Sequence, residues 1–191
     1  QDPLKPLKYN IPEAREIAAL CNGQVFTDTS ATLQHFIATA DFFETLHCST
    51  HAVLDRKGTE FSYLVFYSPS GNPEAGLLFA QDIYGLKLNK NAMVVLSACD
   101  TGNGPLSRTE GLASIARAFM YAGAKTIIPT LWSIDDEKTK ELMISFYQYL
   151  KAGLPKDEAL WQAKKDYIVN NAGEKAHPYF WSAFIGIGDM R

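Results

Sequence analysis

Apolar residues along the chain follow two periods, and the order in which the periods alternate predicts an α/β protein. Short continuous apolar runs of strand length are separated by stretches with helical spacing, the pattern of a mostly parallel sheet flanked by helices on both faces. Pro12 to Cys21 reads as a helix with proline near its opening, closed at Asn22-Gly23, and Gln24 to Phe26 as a short strand. Thr29 or Ser30 can cap a helix from Ala31 to about Ala40, and Phe43 to His51 forms a strand that finishes in histidine. A polar loop follows, then a strand from Ser62 to Tyr67, a turn (SPSGNPEAG) and a short helix at Gln81 to Tyr84. Ala92 to Ala98 is a strand running into a glycine-rich loop, Gly111 to Tyr121 an amphipathic helix closed by Gly123, and Ala124 to Leu131 a strand with Pro129 near its end, where a ladder donor is dispensable. Asp135 to Lys151 and Pro155 to Val169 read as helices, and Tyr179 to Ile187 as a last strand.

Composition narrows this reading. A length of 191 residues with 47% hydrophobic content can bury one substantial core, so residues 1–191 are read as a single domain. A net charge of -3 and a pI near 5.8 argue against a nucleic-acid partner, which calls for clustered Lys and Arg. No apolar run approaches the roughly 20 residues of a membrane span, and QDPLKPLKYNIP lacks the apolar core of a signal peptide. Three cysteines without framework spacing point to reduced thiols and a cytoplasmic setting. The opening QDPLKPLKYN has no strand, whereas such a sheet normally starts with one. The expectation is that this is the C-terminal portion of a longer protein, with a strand or a second copy covering the edge beside Gln24 to Phe26.

Candidate chemistry sits at two strand ends. MVVLSACDTGNG (Met93 to Gly104) ends an apolar run in Cys99 and a polar, glycine-bracketed loop, and FETLHCSTH (Phe43 to His51) ends in His51. A thiol and an imidazole at neighbouring strand ends supply the nucleophile and base of acyl transfer. Taken alone, a strand-terminal cysteine is more often a small buried hydrophobe. His47 and His51 suggest H-x3-H metal ligation, but four residues along a strand separate them by about 13 Å, too far to share one zinc. Cys48 points opposite to both histidines and reads as core. Cys21 and His35 are read as structural, His177 before Pro178 as a turn residue, and Trp161 and Trp181 as core aromatics.

The ordered motifs IPEAREIAAL, TLHCSTH, VVLSACDTGNG, RTEGLASIARAFMYAGAKTIIPTLWSIDDEKTKELMISFYQYLKAG and HPYFWSAFIGIGD resemble the CHAT domain, a caspase-like clan CD cysteine peptidase family, from about Ile11 to Asp189. The family's T-H-G maps onto Thr50 and His51, with Ala52 in place of glycine, and its S-A-C-x-T onto Ser97, Ala98, Cys99, Asp100 and Thr101. The resemblance implies a regulated cysteine endopeptidase using a His51–Cys99 dyad, with a protein or peptide substrate, a regulatory domain or partner, and neither metal nor organic cofactor. Backbone N–H groups of Ala52 and Cys99, each taken to follow its strand into a loop, are the expected oxyanion donors. The loop after the next strand lines the primary pocket in this family, which here is Trp132, Ser133, Ile134, Asp135 and Asp136, with Asp100 at the mouth. Carboxylates there favour a basic substrate side chain. Ser133 or Asp135 serves equally as an N-cap, with acids at the positive end of the helix DDEKTKEL. Two alternatives stay open: a catalytically silent caspase-like interaction module of a multi-domain bacterial protein, and a cysteine hydrolase acting on small amides.

Overall fold

The computed structural model describes residues 4, 6–54, 59–90, 93–97, 99–100, 105–132, 134 and 136–191, with backbone alone at 59, 99–100, 105–112 and 136. In chain order, the strands among them are β1 (Thr45–Cys48), β2 (His51–Val53), β3 (Tyr63–Val65), β4 (Leu77–Phe79), β5 (Met93–Leu96), β6 (Cys99–Asp100), β7 (Thr126–Pro129) and β8 (Ile187–Gly188). The helices are α1 (Asn10–Cys21), α2 (Leu33–Thr39), α3 (Ala80–Ile83), α4 (Pro105–Tyr121), α5 (Asp136–Lys151), α6 (Lys156–Asn170) and α7 (Pro178–Trp181).

Two four-stranded sheets are formed, in the orders β1-β5-β7-β8 and β4-β3-β2-β6. They are continuous through the chain, because β1 runs into β2 across Ser49-Thr50 and β5 into β6 across two residues. Pairing resumes in the same register: Thr45 faces Met93 before the breaks and His51 faces Cys99 after them, an offset of 48 positions in both cases. The central ladders β1–β5, β5–β7 and β2–β6 are parallel, as the alternating pattern implies, and the flanking ladders β2–β3, β3–β4 and β7–β8 are antiparallel.

Side-chain alternation distributes the central strands over two cores. Leu46, Val94, Leu96 and Ile127 pack with Ile115 and Phe119 of α4 on one face. Met93, Val95 and Ile128 pack with Leu142, Met143 and Phe146 of α5, Ala159 and Ala163 of α6 and Ile17 of α1 on the other. This is the three-layer sandwich. Full burial of one side chain such as Phe146 is worth about 1.5–3 kcal/mol, so the α5 face anchors the sheet strongly. Asn22 closes α1 in the left-handed conformation, its N–H bonding to Ala18 O. Gly123 turns the chain from α4 into β7 at φ 121°, where a Cβ would stand 2.9 Å from Leu88 O.

Several sequence expectations are corrected. Gln24 to Phe26 is irregular rather than a strand; among the described residues the edge strands are β1 and β8 in one sheet and β4 and β6 in the other. β4 itself was hidden in a tripeptide after the Pro73–Gly76 turn, too short for a periodic signal. The second helix starts at Leu33 because Thr32, not Thr29 or Ser30, caps it, accepting from His35 N; Asp28–Ser30 instead forms a 3-10 turn. The fourth helix begins at Pro105, six residues before Gly111, with proline in the first-turn position where no donor is lost. The segment Tyr179 to Ile187 is not one strand: Pro178 initiates α7, and only Ile187 and Gly188 join the sheet.

Candidate active site

The breaks in the two central strands define the site. Ser49 and Thr50 interrupt β1 from β2, and they are held from two sides: Asn10 Nδ2 of α1 donates to Ser49 O at 3.5 Å, and Thr50 Oγ1 donates to Val65 O of β3. His51 therefore does not finish its strand but opens the next one, half-buried, with its backbone directly in register with Cys99. The parallel ladder places these two residues side by side, about one strand spacing (roughly 4.8 Å) apart. Ser97, at the other break, is buried, and its hydroxyl has no partner among the described residues.

The expected oxyanion donors lie differently from the sequence reading. Ala52 is the centre of β2, 2% exposed, with Leu64 on one side and Asp100 on the other, and Cys99 opens the two-residue β6. Two residues resume a parallel ladder after each break, which no single-chain hydrophobicity pattern reveals.

Trp132 lies three residues beyond the end of β7, at a bend in the chain. Leu96 faces Pro129 in the β5–β7 ladder, and Cys99 and Trp132 each follow their partner by three residues. Pairing with the C-terminal segment continues just past β7, where Thr130 bridges Phe184 and Leu131 N–H bonds to Ala183 O at 2.9 Å, and the chain then bends at Leu131 and Trp132. The Trp132 indole N–H donates to Tyr179 O at 2.8 Å, and the two rings stack at 6.2 Å with an interplanar angle of 25°. Asp100 ends β6 and Asp136 opens α5, while Ser133 and Asp135 fall outside the described residues, as do Ala98 and Thr101.

The other His and Cys residues are used structurally. Cys48 is buried in the α4-side core, where burial pushes its thiol up to about 12. His47 on the opposite face is clamped by both ring nitrogens, Nε2 against Glu13 Oε1 at 2.8 Å and Nδ1 against Tyr147 OH at 3.1 Å. Burial raises the Tyr147 hydroxyl well above its ordinary value, helped by nearby Cys21, Glu13 and Cys48, so that hydroxyl stays protonated. The Glu13–His47–Tyr147 network was not anticipated. Its signal was an acid at the core-facing helical position one turn before Ile17. His35 is half-buried against Phe26, and His177 accepts from Tyr179 N as the N-cap of α7. Cys21 is exposed at the last position of α1, off the packed face. Trp161 is not core: it is 58% exposed on α6, with Lys165 Nζ 5.0 Å from its ring centroid. Trp181 does pack against the α5–α6 core, its N–H bonded to Ala176 O. Among the described residues no group of three or more His, Cys, Asp or Glu could hold a metal ion, and no helix is long and apolar enough to cross a membrane.

Comparison with known proteins supplies the wider frame. Tetratricopeptide repeat protein 28 of Mus musculus is 34% identical over 112 residues, and that of Homo sapiens 32% identical over 112 residues. In each case the match covers 59% of this chain and 4% of the relative's length. The chain matches the CHAT domain family over residues 3–189. With that match spanning nearly its whole length, and a caspase-like three-layer sheet beneath it, the chain belongs to the CHAT domain family.

Proposed function

We propose that this domain is a regulated cysteine endopeptidase that cleaves peptide bonds in protein substrates through a His51–Cys99 dyad. The observation that carries the reading is the direct parallel pairing of His51 with Cys99 beyond a strand break in each partner. A free thiol, with pKa near 8.5, is only a few per cent ionised at neutral pH, so the imidazole takes the thiol proton as sulfur attacks the scissile carbonyl. The C–S bond forms, and the negative charge gathers on the carbonyl oxygen. Backbone N–H groups of Ala52 and Cys99 are the donors assigned to it. The tetrahedral intermediate collapses, the C–N bond breaks, and His51 returns its proton to the leaving amine. Water then hydrolyses the thioester, regenerating the thiol and releasing a carboxylic acid. Trp132, with Asp100, Asp135 and Asp136, is assigned to substrate binding. The domain is read as part of a longer cytoplasmic polypeptide whose other segments, or a partner, control access.

A second reading, a catalytically silent interaction module, draws on two facts: Ala52 stands where the family usually has glycine, and the relatives carry the name of a repeat protein. Cleavage of a peptide library by the full-length protein, with Cys99→Ala as control, separates the two. The endopeptidase reading expects cleavage to fall about 10³-fold or more in the variant while its Tm is unchanged. No cleavage in the unsubstituted protein, or equal cleavage in both, favours the silent module.

A further inference from the structure

We infer that Thr50 is a positioning residue whose hydroxyl, bonded to β3, fixes the backbone at which His51 meets Cys99. The inference rests on the endopeptidase reading for its consequence, and on the strand break for its place. β2 has three residues and His51 is the first of them, the end at which a short strand frays most easily. Two ties to β3 enclose it. On one side Ala52 faces Leu64, and on the other Thr50 Oγ1 donates to Val65 O, the carbonyl of the residue after Leu64. His51 thus sits between two fixed points on one neighbour, with Cys99 as its partner on the other.

β3 is a firm anchor for that bond. Leu64 is fully buried, Val65 faces Leu77 of β4, and Phe66 N–H bonds to Gly76 O at 2.7 Å. The two strands run so close there that a Cβ on Gly76 would stand 2.3 Å from Phe66 O. The other hold on the break is weaker, since Asn10 Nδ2 reaches Ser49 O at 3.5 Å, near the limit of a hydrogen bond. Thr50 makes much the shorter bond.

Threonine at a strand break ordinarily bonds within its own turn. Here the acceptor lies 15 residues away, on the strand that pairs with β2, so turn formation does not account for the bond. A β-branched side chain has few χ1 rotamers, so anchoring the hydroxyl also fixes the main chain that carries it. That main chain leads directly into His51. Misplacing a catalytic group by about 1 Å can cost about 10²-fold in rate, which makes the placement of this backbone a catalytic matter.

The test measures alkylation of Cys99 by iodoacetamide, located by mass spectrometry, from about pH 6 to about pH 10 in the full-length protein, together with kcat and KM for peptide cleavage. Thr50→Val keeps the shape and removes the donor, whereas Thr50→Ser keeps the donor. Thr50→Val is expected to slow alkylation about fivefold or more near pH 7, in the same direction as His51→Ala, with the difference vanishing near pH 10, where the thiol ionises without a base. Its kcat is expected to fall about 10–10²-fold with KM within about twofold, and Thr50→Ser to recover both rates to within about threefold. Thr50→Ala carries the same expectation as Thr50→Val and replaces it if that variant does not fold. A lower Tm with an unchanged pH profile and unchanged kcat per folded molecule overturns the inference, because Thr50 then serves folding alone. If His51→Ala slows alkylation and the Thr50 variants do not, the endopeptidase reading stands and the role of Thr50 is refuted. If His51→Ala leaves the rate of Cys99 unchanged, the dyad itself fails and the inference falls with it.

Discussion

The two halves of the central strands each contain a histidine and a cysteine, and they use them in opposite ways. Before the breaks, His47 and Cys48 sit in β1, where the strand is packed on both faces: Cys48 fills the α4-side core and His47 is bonded at both nitrogens by Glu13 and Tyr147. After the breaks, His51 is half-buried and aligned with Cys99, and the ladder runs for only two residues. Residue type is the same in both halves. What differs is the setting: β1 lies between the α4-side core and the core built on α1, α5 and α6, whereas His51 opens a short strand and is half-buried.

The contrast is broken most severely by exchanging the histidines' fates. His51→Ala is expected to lower peptide cleavage by about 10²–10⁴-fold with little change in Tm, since general base catalysis supplies a factor of that order. His47→Ala is expected to do the opposite, lowering stability while leaving the pH dependence of cleavage intact in the folded fraction. Comparable loss of cleavage per folded molecule in both variants, measured against denaturation curves of each, contradicts the division.

Next in size is Glu13→Ala. It leaves His47 Nε2 buried without its acceptor, and an unsatisfied buried group costs about 1–3 kcal/mol, read as a lower urea midpoint at unchanged m-value. A midpoint within error of the unsubstituted protein shows that the network is not structural.

Cys48 gives a smaller effect at high pH. Its folded pKa is raised to about 12 from 9.0, so below about 9 both folded and unfolded chains keep the proton and stability is undiminished. As pH rises from 9 toward 12 the unfolded chain ionises and the folded one does not, and stability falls. Urea midpoints of Cys48→Ala and unsubstituted protein should therefore converge over that range; parallel profiles reject a buried neutral thiol. Smallest of all is Trp161→Ala, for which a change beyond about 0.5 kcal/mol in stability is not expected at so exposed a position.

Legibility in the sequence followed the same division. The parallel strands β1, β5 and β7 and helices α1, α5 and α6 were readable because long apolar runs and helical spacing report burial on one or two faces. β4, the two-residue β6 and the Thr32 cap were not, because three residues or fewer carry no period and compete with several nearby caps. At the candidate site, His51 and Cys99 were legible from composition at strand ends and from the ordered motifs. The breaks that turn His51 and Ala52 from strand end into strand start were not, since they depend on Val65 and Asn10, partners remote in sequence. Trp161 was misread for a related reason: a tryptophan at a helical position signals a core only when its face is known, and Lys165 one turn later marks that face as outward.

The division between the halves comes down to thiol reactivity. Unsubstituted and His51→Ala proteins are treated at neutral pH with a limiting peptidyl acyloxymethyl ketone, and the labelled cysteines are located by mass spectrometry. The account predicts that Cys99 reacts first, ahead of exposed Cys21, that its rate drops at least about tenfold in His51→Ala, and that buried Cys48 is labelled only after unfolding. Cys99 reacting no faster than Cys21, or at the same rate with and without His51, would contradict it.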